Sequence, residues 1–199
     1  IPHKGHSSLT DMDARARARH LGWLPQNREI AWPVSVETLV SLGRTPYLAA
    51  GRKLSAEDRR AVASALTYME LAALADRPAT DLSGGEQARA LIARVLAQET
   101  PLILADEPVA GLDPGHQISL MRLFRRLASD GKAVVVSLHD LTLAARHCSR
   151  LALLSEGKLI MDGPPHDVLS DARCRAVFGV GAHWHDAPDG PALHILEEV

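Results

Sequence analysis

The sequence predicts an α/β fold: a parallel sheet packed with helices. Three observations carry this expectation. Leu102 to Ala105 is an apolar run without alternation, the pattern of a strand buried on both faces of a parallel sheet, and Ala133 to Leu138 reads as another buried strand. Stretches with helical periodicity separate the strand candidates. Two carboxylates, Asp106 and Glu107, follow the first run directly. Ligands of such sheets sit there, outside the carboxyl ends of the strands.

Composition narrows the class. A length of 199 residues fits one domain with a real core, and 46% hydrophobic with 23% charged residues is globular. A net charge of −2 gives no reason to expect a nucleic-acid partner or an anionic membrane surface. No apolar run approaches the roughly 20 residues that span a bilayer, and no signal-peptide pattern opens the chain. Cys148 and Cys174 match no metal spacing and read as reduced thiols of a cytosolic protein.

Taken in order, residues 1–10 read as irregular, and 11–20, rich in Ala and Arg, as helix. Arg15, Arg17 and Arg19 spread round that helix and read as solvated charges. Leu21 to Leu24 forms a short strand, followed by Pro25, Gln26 and Asn27. Val36 to Leu42 is a short helix ended by Gly43. Ser55 caps a longer helix from Ala56 to about Leu74, with Glu57 and Asp58 in its first turn and Val62, Leu66, Met69 and Ala73 on one face. Ser83 caps a helix over Gly84 to Ala97, and Glu86 completes a capping box.

Asp113 caps the next helix, with Pro114 in its first position. That helix buries Ile118, Met121, Phe124 and Leu127 and stops at Gly131. His139 follows the strand that begins at Ala133. Leu141 to His147 is helical. Leu151 to Leu154 and Lys158 to Met161 form a hairpin around Glu156-Gly157. Residues 167–178 are helical, and the tail 181–199 forms a hairpin at Asp189-Gly190. His183, His185 and His194 lack accompanying acidic or thiol ligands, which argues against a metal site there.

The chemistry concentrates in two stretches. At Ser83-Gly84-Gly85 a helix N-terminus offers free N–H groups and a positive dipole end, suited to phosphate. The glycines let an anion approach the backbone, and an ordinary cap has no need of two. At Asp106-Glu107, one carboxylate could hold a magnesium ion that keeps several waters, and the other could orient or deprotonate an attacking water.

Leu82-Ser83-Gly84-Gly85-Glu86-Gln87, followed fifteen residues later by Leu102-Ile103-Leu104-Ala105-Asp106-Glu107-Pro108, resembles the signature and Walker B motifs of an ATP-binding-cassette (ABC) ATPase. The resemblance implies an ABC-type P-loop NTPase fold. Residues 1–33 and 98–180 would be the RecA-like core, 34–97 the helical subdomain, and 181–199 a terminal tail. It implies ATP and Mg2+ as ligands. Gln26 matches the Q-loop and, with Asp106, would hold the metal. Ser83, Gly84, Gly85, Glu86 and the D-loop Asp113 would contact nucleotide. Glu107 would be the catalytic base and His139 the switch histidine.

The G-x-x-x-x-G-K-[ST] run that cradles phosphates in this family does not occur in the sequence. The core is therefore expected to be N-terminally incomplete, and the chain alone inactive. The family resemblance further implies a homodimer, transmembrane permease subunits and a periplasmic binding protein, at the cytoplasmic face of the inner membrane. The run Leu42 to Tyr47, the helix from Ala56, the stretch Cys148 to Leu154, and Gly157, Lys158 and Gly163 are similar to ATPases of iron–siderophore or haem importers, with cobalamin or another metal chelate as the second cargo. The alternatives are a soluble ABC ATPase that moves no solute, such as an iron–sulfur assembly ATPase, and a non-catalytic remnant.

Overall fold

Three parallel strands organise the part of the chain that carries the carboxylates. The computed structural model describes residues 8–27, 29–49, 52–188 and 190–197. These fall into two compact units. One holds the described residues up to His116 together with Leu127–Ser137; the other holds Gln117–Arg126 and the residues from Leu138 onward.

In the first unit, β1 (Leu21–Leu24), β2 (Leu102–Ala105) and β3 (Ala133–Val136) pair in that order, all parallel. Their register sets Trp23, Leu104 and Val135 side by side. The ladder runs one residue past the strands. The Asp106 N–H donates to Leu24 O at 2.9 Å, and the Ser137 N–H donates to Ala105 O at 2.9 Å. Asp106 and Ser137 are thereby fixed at the carboxyl end of the sheet.

The strands are not buried on both faces as their apolar runs predict. Leu24, Ile103 and Ala105 lie on a buried face, whereas Trp23 is 47% and Val135 56% exposed on the other. Period 2 sends successive side chains to opposite faces, and among the described residues only one face is well covered. Part of that cover is the helix α4 (Gly84–Ala97). A Cβ on Gly22 would stand 2.6 Å from Val95 Cγ1. Glycine at 22 is what lets the strand lie against this helix.

The first five helices follow the sequence reading with four corrections. First, α1 (Ala14–His20) starts at an Asp13 cap, later than predicted. Its arginines are not simply solvated: Arg15 donates to Pro46 O at 2.8 Å and Leu48 O at 2.7 Å, and Arg19 to Pro46 O at 3.2 Å. Second, α2 (Val36–Ser41) is not ended by Gly43; it runs into a 3-10 turn over Leu42–Tyr47. A Cβ on Gly43 would collide with the Arg94 carbonyl of α4, so the glycine serves close backbone approach.

Third, α3 (Ala56–Tyr68) ends well before Leu74, because Glu70 takes a positive φ of 57° and Leu71 turns into the core. Its predicted cap is present as a box, with Ser55 Oγ accepting from the Asp58 N–H at 3.1 Å and Asp58 Oδ2 accepting from the Ser55 N–H at 2.9 Å. The same carboxylate faces the buried Arg44, whose Nε donates to Asp58 Oδ1 at 2.8 Å.

Fourth, α5 (Pro114–Ser129), which contributes residues to both units, buries Met121, Phe124 and Leu127 but leaves Ile118 exposed. Leu120 is buried instead.

The second unit continues with α6 (Leu141–His147), the hairpin β4 (Leu151–Ser155) and β5 (Lys158–Gly163), α7 (Pro165–Val168), α8 (Asp171–Phe178), and the hairpin β6 (Gly181–Ala187) and β7 (Gly190–Leu196). The helix expected over 167–178 is two. Leu169 leaves the helical region and inserts into a core with Leu153, Val168, Cys174, Ala182 and Leu193, and its carbonyl accepts from Trp184 Nε1–H at 2.9 Å. Asp189, half of the predicted hairpin turn, lies outside the described residues, while Gly190 has a φ of 106°. Among the described residues no helix is long and apolar enough to cross a membrane. Cys148 and Cys174 are free.

Candidate functional site

The carboxyl ends of β1, β2 and β3 bring Gln26, Asp106, Glu107 and Ser137 together. Gln26 Nε2 donates to Glu107 Oε2 at 2.6 Å. The Glu107 N–H donates to Ser137 Oγ at 2.8 Å, and the Ser137 hydroxyl donates to Asp106 Oδ1 at 2.6 Å. One serine thus fixes the backbone of one carboxylate and the side chain of the other. Glu107 sits at φ 42°, in the left-handed region that a non-glycine residue enters at a cost. Its anchored amide and its bond to Gln26 hold it there.

The donor set fits a hard divalent cation. Gln26 commits its amide nitrogen to Glu107, which leaves its Oε1 available to a cation, as the Asp106 carboxylate could be. Among the described residues no three His, Cys, Asp or Glu gather around a point. A site with one carboxylate and one amide oxygen suits Mg2+, which keeps several waters, better than a metal needing a full protein cage.

The second cluster surrounds the N-terminus of α4. Glu86 Oε2 accepts from the Ser83 N–H and the Ser83 hydroxyl, each at 2.8 Å, and Ser83 Oγ accepts from the Glu86 N–H at 3.4 Å. These bonds, the backbone one first, hold the Glu86 carboxyl below the usual carboxylate range. Glu86 therefore builds the turn, and its carboxylate is committed to Ser83.

The two glycines differ. A Cβ on Gly84 would meet nothing within 4 Å among the described residues, as an anion-receiving position requires. A Cβ on Gly85 would stand 2.7 Å from His116 Nε2. Gly85 thus lies against an imidazole.

Asp113 caps α5 as predicted, Oδ1 accepting from the His116 N–H at 3.1 Å. Its Oδ2 also bonds His116 Nδ1, and this bond leads the interactions that lower the Asp113 pKa. His139 lies at an exposed bend after β3 and belongs to the second unit.

The profile of the ABC transporter family matches residues 2–110. The chain belongs to the ABC transporter family. The hemin import ATP-binding protein HmuV of Streptomyces coelicolor (strain ATCC BAA-471 / A3(2) / M145) is 45% identical over 94% of this chain. The same-named protein of Rhodococcus jostii (strain RHA1) is 43% identical over 89%. The chain spans 66% and 62% of those relatives' lengths. The cobalamin import ATP-binding protein BtuD of Halobacterium salinarum is 38% identical over 84% of this chain and 42% of its own.

Among solved structures, a transporter described as of metal-chelate type, in an inward-facing conformation, superposes with a TM-score of 0.82. It is 28% identical, with coverage of 90% of this chain and 73% of that one. A dimeric ATP-binding cassette in a post-hydrolysis state with ADP and Pi gives 0.62 at 32% identity, with coverage of 78% and 69%.

Within this ABC chain, sequence reasoning missed Ser137 and His116. Ser137 carried a signal: it ends an apolar strand parallel to the one that ends at Asp106, so equal register sets it beside the carboxylates. His116 carried none, since only the folded turn brings it to Gly85.

Proposed function

We propose that this chain is the greater part of the ATP-hydrolysing subunit of a bacterial importer for iron chelates, haem first. The observation that carries the reading is the Gln26–Glu107 bond at 2.6 Å, set beside Asp106 at the end of a parallel sheet. A carboxylate held at one oxygen by an amide, with its backbone fixed, would orient and deprotonate a water. Bound Mg2+, held by Asp106 and the Gln26 amide oxygen, would supply charge neutralisation on the phosphates.

The signature turn at Ser83, Gly84 and Gly85 would receive the triphosphate held by a second subunit, with Asp113 nearby in the same contact. His139 would bond the terminal phosphate, since a neutral imidazole can donate from one nitrogen and accept at the other. The phosphate-cradling run is not in this sequence, so activity is proposed for the full-length polypeptide carrying this chain. That polypeptide would sit at the cytoplasmic face of the membrane, bound to permease subunits and served by a periplasmic binding protein.

Haem is favoured by the hemin-import names of relatives that are 43–45% identical. Cobalamin is the second reading, favoured by the BtuD relative. The test is uptake by proteoliposomes holding the full-length polypeptide and its permease. Haem or iron chelate should accumulate only with ATP inside reach of the subunit. Uptake of cobalamin alone would select the second reading, and uptake of only a sugar or amino acid would overturn both.

A further inference from the structure

We propose that His116 is a positioning residue that ties Asp113 to the signature turn, holding Gly85 in place for the incoming nucleotide. The inference rests on the ATPase reading and adds to it a residue that none of the family motifs above contains. Its imidazole is bonded at one nitrogen and lies against the signature turn at the other. Nδ1 bonds Asp113 Oδ2, and Nε2 occupies the space that a Cβ on Gly85 would fill. The backbone N–H of His116 donates to Asp113 Oδ1 as well, so ring and main chain move with that carboxylate.

The chain Asp113–His116–Gly85 spans two stretches that would both face nucleotide, and it lies within one compact unit. Gly84, one residue earlier, has no such brace among the described residues. The imidazole therefore selects the second turn residue, whose place along the helix axis sets where the free N–H groups point.

The His116 and Asp113 side chains are 58% and 61% exposed. Exposed ion pairs add little to global stability. The link is therefore expected to act locally: removing it should loosen the signature turn while leaving the fold intact.

The experiment is a mutant cycle on the full-length polypeptide: His116→Ala, Asp113→Ser and the double variant. Serine keeps the helix cap but is too short to hold the ring as well. The first readout is backbone amide exchange over 84–87, without nucleotide. His116→Ala should raise it roughly 5-fold or more with the melting temperature nearly unchanged. The double variant should match His116→Ala, since residues acting through one another do not add.

The second readout is steady-state ATP hydrolysis. His116→Ala should lower kcat about 10-fold with KM within about 2-fold. Unchanged amide exchange in His116→Ala, or additive effects in the cycle, would overturn the link. A kcat equal to the parent's would overturn its role in positioning. Failure of the parent itself to hydrolyse ATP would instead overturn the ATPase reading and with it the nucleotide role, and exchange would still decide the link.

Discussion

The Ser137 hydroxyl donates to Asp106 Oδ1 at 2.6 Å while accepting the N–H of the neighbouring Glu107. Ser137→Ala removes both bonds, freeing the Asp106 carboxylate to rotate and leaving the strained Glu107 backbone without its anchor. The expected outcome is a kcat roughly 10-fold below the parent in the full-length polypeptide, with little change in melting. Ser137→Thr, which keeps the hydroxyl, should recover most of the loss. Steady-state ATPase assays on the two variants check this.

Arg44 and Asp58 form a buried ion pair in the helical part of the first unit, and Arg44 Nη1 also donates to Glu99 at 2.6 Å and to Ala97 O at 2.8 Å. Asp58→Asn leaves the guanidinium short of a counter-charge. It should destabilise the unit by about 3 kcal/mol, as breaking a buried pair does. The bonds from Ser55, and then the Arg44 guanidinium, pull the Asp58 pKa to about 2. The sign follows: this stability is complete above the unfolded value of about 3.9 and is lost as pH falls toward about 2. Urea melts between pH 5 and 2 should lose part of their acid slope in the variant.

His147 is buried in the second unit with no hydrogen-bond partner for either ring nitrogen among the described residues. Burial first, and then Arg125, Arg146 and Arg122, push its pKa down. The folded state thus binds a proton less readily than the unfolded state, which titrates near about 6.5. Stability is full above that value and declines as pH falls below it. His147→Leu should flatten the decline between about pH 7 and 5. Thermal melts across that range would show it, and an unchanged slope would assign the acid sensitivity elsewhere.

Much of this molecule is legible in its sequence because the relevant signals are local. The strands at Leu21 and Leu102, the helix over Gly84–Ala97 with its Ser83–Glu86 box, and the hairpins at Glu156 and Gly190 follow from period, caps and turn residues. What escaped reading is what the fold brings together across long separations. Gly43 looked like a helix stop and is a contact with the Arg94 backbone. Arg15 and Arg19 looked solvated and brace the turn at Pro46. Gly85 read as bare for a phosphate alone, and a Cβ there would also meet an imidazole 31 residues later. Leu169 breaks a helix that propensity would continue, because its side chain belongs in the core.

The central claim is that Glu107, held by Gln26 beside Asp106, carries ATP hydrolysis. The most direct measurement is ATP turnover and ATP binding by the full-length polypeptide and its Glu107→Gln variant, with Mg2+. Glutamine preserves the shape of the site and the contact with Gln26 but is no base. The account predicts ATP binding within a few-fold of the parent and turnover at least about 100-fold lower. Turnover near the parental rate in the Glu107→Gln variant would contradict it.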